Sequence, residues 1–154
     1  MKTNAVRILE ANKISHSTLE YESSEEELDA VTVAQKINAE PEQVFKTLVT
    51  RNEKSEIIVF VIPGNFELNL KKAARASSSK SIEMIKVKEL QPLTGYIRGG
   101  CSPIGMKKQF PTFIDETAQL HDNIYCSAGI RGMQLNLNPS DLTKVIDATF
   151  ADLI

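Results

Sequence analysis

The stretch Gly99-Gly100-Cys101-Ser102-Pro103-Ile104-Gly105 places three glycines and one proline in seven residues. Glycine removes the Cβ that keeps a ligand off the main chain, and proline freezes one φ angle. Peptide N–H groups in such a loop can be aimed at an oxygen before it arrives. Pre-aimed donors suit a developing oxyanion or a phosphate, although the same composition also serves ordinary turns, and spacing alone does not separate the two. Arg98 precedes the loop and Lys107 and Lys108 follow it, so cations stand at both of its mouths, as an RNA phosphate chain would require. A solvated surface charge run is the bland alternative. Further cations sit at Lys71, Lys72 and Arg75 on a predicted helix, with Lys80 after it and Arg131 farther on. A formal net charge of -2 is unlike a protein that grips nucleic acid by bulk electrostatics, so any RNA contact must be local.

A second candidate lies in Val44-Phe45-Lys46-Thr47-Leu48-Val49. The strand period of two puts Lys46 on one face with Val44 and Leu48, while Phe45 and Val49 point the other way. An unpaired ammonium among apolar neighbours is costly. Lys46 therefore either snorkels to water along its stem or faces a wet cavity where an anionic ligand completes it. Edge strands often carry lysine, which favours the first option. The next segment, Ile57 to Ile62, is apolar on both faces and belongs in the middle of a sheet, which makes an edge position for its neighbour less comfortable.

These residues need a scaffold, and 154 residues with 42% apolar content and mixed charge read as one compact cytosolic domain, 1–154. The longest apolar run, Ile57 to Ile62, is far too short to cross a bilayer, and the amino terminus lacks a hydrophobic signal region. Two cysteines, Cys101 and Cys126, lie far apart without metal-ligand spacing, and there are only two histidines. Reduced thiols, no metal and no cofactor are expected.

Along the chain, Asn4 to Asn12 carries apolar positions at helical spacing after a Thr3 or Asn4 cap. His16 to Tyr21 alternates as an outer strand, and the acidic stretch Glu22 to Asp29 reads as a solvated connection. Thr32 to Ile37 is helical and Pro41 opens a turn. Val44 to Thr50 and Ile57 to Ile62 are strands, Leu70 to Ala76 a helix and Ile82 to Val87 a strand, followed by a helical turn that Pro92 and Gly95 interrupt. Thr112 to Ile114, Ile124 to Ser127 and Met133 to Leu137 are further strands. Pro139, Ser140 and Asp141 start a final helix that packs through Leu142, Val145 and Ile146. Strands outnumber helices in irregular order, which gives an α+β domain with a mixed, barrel-like sheet.

Four blocks taken together resemble the YbaK/EbsC family of aminoacyl-tRNA editing proteins, which is related to the editing insertion of bacterial prolyl-tRNA synthetases. They are Val44-Phe45-Lys46-Thr47-Leu48, Leu68 to Ala74, Thr94 to Lys108, and Ser127-Ala128-Gly129-Ile130-Arg131-Gly132. The similarity runs nearly end to end. It implies a largely antiparallel, barrel-like sheet flanked by helices, and a cytoplasmic deacylase that removes cysteine from mischarged proline tRNA beside prolyl-tRNA synthetase.

The resemblance also implies roles. Lys46 becomes the central residue, which reverses the snorkelling reading, and Thr47 matches with it. Tyr21 falls where a pocket-lining aromatic is expected, with an ordinary strand aromatic as its competitor. Gly99 to Pro103 corresponds to a Gly-x-x-x-Pro loop whose Gly100 N–H, or a neighbour's, would meet the ester carbonyl oxygen. Cys101, Ser102 and Pro103 of that loop, with Ser127 and Gly129 opposite, would border the substrate. Lys71, Lys72, Arg98, Lys107, Lys108 and Arg131 would meet the tRNA. Ala128 and Ile130 depart from the family's Ser-Gly-Gly-Lys-Arg-Gly pattern, which puts backbone access and phosphate grip there in doubt. Leu28 stands near where some relatives place an aromatic wall. The implied mechanism needs no protein nucleophile, since the substrate's own thiol attacks its ester. A Cys101 nucleophile with His121 or His16 as base is therefore the lesser reading for that thiol. Editing of alanine or another small residue, and a noncatalytic acceptor-end binding module, remain the competing functions.

Overall fold

Side-chain caps fix several of the helix starts: Thr3 Oγ1 accepts from Val6 N–H at 3.2 Å, Asn69 Oδ1 from Lys72 N–H at 3.1 Å, and Asn138 Oδ1 from Ser140 N–H at 2.9 Å. The computed structural model describes residues 2–154. In chain order the elements are α1 (Asn4–Ala11), β1 (His16–Glu20), α2 (Ala30–Lys36), β2 (Phe45–Asn52), β3 (Ile57–Pro63), α3 (Leu70–Ala76), β4 (Ile82–Met84), α4 (Val87–Thr94), β5 (Thr112–Asp115), β6 (Ile124–Ser127), β7 (Met133–Leu137), α5 (Pro139–Ile146) and β8 (Thr149–Ala151). No helix among the described residues is long and apolar enough to cross a membrane.

The strands form two sheets, ordered β1-β7-β6 and β4-β2-β3-β5-β8. Four ladders are antiparallel, and the β3·β5 and β5·β8 ladders are parallel. The mixed, largely antiparallel α+β character read from the sequence is present. The sheets meet at one parallel bridge, Val44 to Tyr125, without closing a barrel. As its doubly apolar sequence requires, β3 is central. Val59 and Val61 face the main core with Phe45, Val49 and Ile114, against Leu135 and Leu137 of the small sheet and Leu9 of α1. On the opposite face Ile58, Phe60 and Ile62 pack with Ala73 and Ala74 of α3 and with Leu153.

Three elements differ from the sequence reading. The strand predicted over Ile82 to Val87 stops at Met84, because the Glu89 carboxylate accepts from Lys86 N–H at 2.8 Å and turns the chain into α4. Pro92 lies inside that helix, which ends at Gly95 with φ of 85°. The strand β8 escapes detection because it is three residues long, with Phe150 its only large apolar residue, and takes its shape from pairing with β5.

Glu89 also binds Arg51 of β2 through two contacts, at 2.9 and 3.1 Å, which straps α4 to the sheet. The Arg51 guanidinium, with help from the Lys86 N–H, holds its carboxyl down at about 2. A carboxyl depressed in the folded state contributes stability that is present above its unfolded value, 4.5, and lost as pH falls toward about 2. Thermal midpoints of wild type should drop across that window, and Glu89→Gln should lie lower at neutral pH with a shallower drop. Parallel curves for the two proteins would remove Glu89 from that role.

Candidate functional site

The site opens along the edge of β2 that faces away from β3, where β4 does not reach. β4 pairs with β2 only from Thr50 to Asn52, and β6, paired on its other side with β7, reaches this edge by the single backbone bridge from Tyr125 to Val44. The segment from Val44 to Leu48, unpaired on this side beyond the Val44 bridge, forms one wall of a cleft of about 310 Å³. Leu28, Asp29, Ala30 and Val33 form a second wall at the start of α2, and Arg98, Gly99, Cys101, Ser127 and Gln134 complete it. Ala30 can press against the end of β3 because position 64 is glycine. A Cβ there would lie 2.4 Å from Ala30 Cβ and 2.8 Å from the Val44 oxygen.

Lys46 is half-buried, and its Nζ donates to the Gly64 carbonyl at 3.2 Å. Burial pushes the ammonium below the ordinary lysine value, against the opposing pull of Glu67 and Asp29. One weak carbonyl partner leaves most of its donor capacity free for an arriving anion. Thr47 points the other way on the strand, and its Oγ1 is buried with no hydrogen-bond partner among the described residues.

The glycine loop is held from three directions. Gly99 has φ of 84° and sits beneath Leu28, whose Cδ2 would be 2.6 Å from an added Cβ. Gly100 lies against the backbone of Ile130 and Arg131, both within 3.0 Å of where its Cβ would be. Arg131 Nε donates to the Arg98 carbonyl at 2.9 Å across the same seam. Tyr96 clips the far end, donating its hydroxyl to the Ile104 carbonyl at 2.6 Å, while its ring occupies the space a side chain at Gly129 would need.

The predicted residues divide accordingly. Lys46, Thr47, Gly99, Cys101, Ser127 and Arg98 line the cleft. Gly100 N–H donates to the Ile97 carbonyl at 2.9 Å and is committed to the turn, whereas the N–H groups of Gly99 and Cys101 donate to no backbone carbonyl among the described residues. Ser102 and Pro103 are buried beneath the loop, with Ser102 Oγ accepting from Ile104 N–H at 3.2 Å. Gly129 donates to Ser127 Oγ at 3.1 Å and lies outside the cleft. Tyr21 packs beside Val33 and Val44, behind the cleft wall. Ala128 is 0% exposed with its side chain in the main core, so its departure from glycine does not obstruct the opening, and Ile130 packs on that core.

Among the six cations, only Arg98 lines the cleft. Lys71, Lys107 and Lys108 are exposed elsewhere. Lys72 is spent on Asp152 at 3.0 Å and the Ile154 carbonyl at 2.6 Å, and Arg131 on the loop seam, with Glu25 at 3.9 Å. The sequence reading missed Asp29 and Gln134. Asp29 caps α2 by accepting from Thr32 N–H at 3.0 Å, and its hydrogen bonds with Thr32 hold its carboxyl low. An Asp-x-x-Thr step ahead of a helical run is the signal that could have moved it from loop to cleft wall. Gln134 interrupts an apolar strand, and a polar residue at a position 5% exposed is its only mark.

Both cysteines are free thiols. Burial pushes the Cys101 thiol up to about 12, Thr94 opposing weakly, so the thiolate a nucleophile needs is scarce at neutral pH. Neither His16 nor His121 lines the cleft, and His16 Nδ1 is engaged with the Ile14 carbonyl at 2.8 Å. Cys101→Ala should keep any ester cleavage at this cleft within a few-fold of wild type in a single-turnover assay. A loss of about a hundredfold or more would make the thiol a participant.

The aminoacyl-tRNA editing domain family matches residues 24–145. Over 152 residues, 99% of this chain and 93% of the relative, the sequence is 49% identical to the Enterococcus faecalis protein described as "Putative Cys-tRNA(Pro)/Cys-tRNA(Cys) deacylase EbsC". A proline–tRNA ligase of Brachyspira hyodysenteriae is 31% identical over 80 residues, 52% of this chain and 14% of that protein. The fold superposes with a TM-score of 0.80 and 25% identity, over 99% of this chain and 98% of the other, on a crystal structure described as "a putative trans-editing enzyme for prolyl tRNA synthetase". The lysine-bearing strand, the glycine loop and the facing turn all fall inside the matched residues, and the chain belongs to the aminoacyl-tRNA editing domain family.

Proposed function

We propose that the chain acts as one editing domain, residues 1–154, that removes cysteine in trans from mischarged proline tRNA in the cytoplasm. One observation carries this reading. A half-buried lysine and a rigid glycine loop line the same small cleft, and the N–H groups of the lining residues Gly99 and Cys101 are used by no backbone carbonyl among the described residues. The ester carbonyl oxygen is received by the N–H groups of Gly99 and Cys101, since Gly100 spends its own on the turn. Lys46 takes the phosphate or ribose side of the terminal adenosine, and Arg98 at the rim takes the adjoining backbone.

With the oxygen held, the cysteine thiol attacks its own ester carbonyl. The sulfur–carbon bond forms, the bond from carbon to the ribose oxygen breaks, and the thiol proton ends on the ribose hydroxyl. The products are discharged tRNA and a cyclic thiolactone. Covalent attachment keeps sulfur and carbonyl together, so effective molarity supplies what an enzymic nucleophile would otherwise provide.

The similarity to part of a proline–tRNA ligase supports prolyl-tRNA synthetase as the partner that presents the tRNA. A net charge of -2 fits weak solitary tRNA binding, with selection of the tRNA left to that partner. A cavity of about 310 Å³ admits cysteine, alanine and serine alike, so chemistry rather than size separates them. Release rates from cysteinyl, alanyl and seryl proline tRNA should rank cysteine first by about a hundredfold or more, because only cysteine carries the thiol. Equal rates on all three would replace this mechanism with attack by water, and binding without turnover would make the chain a noncatalytic module.

A further inference from the structure

The cleft holds acceptors that its own residues leave unused. Gln134 is 5% exposed and lines the cleft, and its Oε1 has no hydrogen-bond partner. The other buried side-chain oxygen or nitrogen without a partner among the described residues is Thr47 Oγ1, in the same lining. Native structures rarely leave buried polar atoms unpaired, and two on residues of one cleft lining point to a donor that arrives with the ligand. Of the neighbouring oxygens, Ser127 Oγ accepts from Gly129 N–H, and the Asp29 carboxylate accepts from the N–H and hydroxyl of Thr32 and attracts the Lys46 ammonium.

Gln134 has this position because β7 turns Met133 and Leu135 into the main core and leaves Gln134 on the other face of the small sheet, beside its register partner Ser127. Resting on the deacylase reading above, we propose that Gln134 Oε1 and Thr47 Oγ1 receive the α-ammonium of the aminoacyl group, so that the site selects amino acids whose amine is unblocked. An aminoacyl ester carries one cationic donor close to its carbonyl, and a charged donor gains more from a desolvated acceptor than a thiol does. Lys46 on the opposite side repels the ammonium and attracts phosphate. Charge thereby sorts the two ends of the substrate within the cleft.

The test uses cysteinyl and N-acetylcysteinyl proline tRNA under single turnover, each rate divided by that ester's spontaneous cleavage in buffer. Wild type should accelerate the cysteinyl ester about tenfold or more beyond the acetylated one, Gln134→Leu should collapse that ratio toward one, and Gln134→Glu should keep it. If Gln134→Leu does not fold, the wild-type ratio and Gln134→Glu decide. A wild-type ratio near one overturns the proposal. So does an unchanged ratio in Gln134→Leu, which would mark steric exclusion of the acetyl group. If wild type accelerates neither ester, the deacylase reading itself fails, and the ammonium site falls with it.

Discussion

Lys46→Ala should lower the single-turnover rate of cysteinyl proline tRNA deacylation by about a hundredfold or more while leaving the thermal midpoint unchanged or raised. The two parts of this expectation share one cause. Burial holds the Lys46 ammonium below its ordinary value, so the folded protein is stabilised little by that charge. Its partner in the protein, the Gly64 carbonyl at 3.2 Å, is a single neutral acceptor. Alanine therefore removes one neutral hydrogen bond and a weak pull from Glu67 and Asp29 within the protein, while it removes all of the ammonium's capacity to hold an arriving anion. Lys46→Arg should not rescue, because a planar, longer guanidinium cannot stand in the same half-buried position as a compact ammonium. Near-normal activity in Lys46→Ala would take Lys46 out of the site.

Gly100→Ala should be the most damaging single change in the loop, costing about a hundredfold in rate and about 1–3 kcal/mol in stability. The reason is what an added methyl meets. At Gly99 it would meet the far end of the Leu28 side chain at 2.6 Å, which can swing, although a φ of 84° adds strain. At Gly100 it would meet the Arg131 nitrogen and Ile130 carbon at 3.0 Å, main-chain atoms of the facing turn that must shift by a few tenths of an ångström and, unlike a side-chain tip, cannot do so by changing rotamer. The two turns are then pushed apart by that amount, which carries with it the Gly99 and Cys101 N–H groups that are to hold the ester oxygen. Circular dichroism melts and deacylation rates for Gly99→Ala and Gly100→Ala together check this. Gly100→Ala with full activity would show that the seam does not position the donors.

The residues legible in the sequence were those whose meaning is local. Lys46 stood out because a two-residue period set a cation among apolar neighbours, and the loop because glycine and proline restrict φ wherever they occur. The main strands and helices follow from periodicity, with β3 placed centrally by its doubly apolar faces. What was not legible depends on contacts between distant segments. Gly64 looks like any turn glycine until Ala30 is found pressed against it. Tyr96 reads as an isolated aromatic until its hydroxyl is seen on Ile104 and its ring over Gly129, with burial raising the phenol to about 12. Gln134 is one polar letter in a strand, and only the sheet's pairing shows which face it takes. The Gly-x-x-x-Pro pattern also gives no hint that its proline end is buried scaffold while its glycine end borders the cleft. Likewise, the period of each strand cannot say that the strands part into two sheets, since that is decided where Val44 meets Tyr125 and the chains then diverge.

The most direct test is to incubate the protein with cysteinyl proline tRNA under single turnover and identify by mass what leaves the ribose. Discharged tRNA with a cyclic thiolactone is the expected result. Intact cysteinyl tRNA would contradict the assignment of this cleft as a deacylation site, and free cysteine formed at the same rate as discharge, with no thiolactone before it, would contradict cleavage by the substrate's own sulfur.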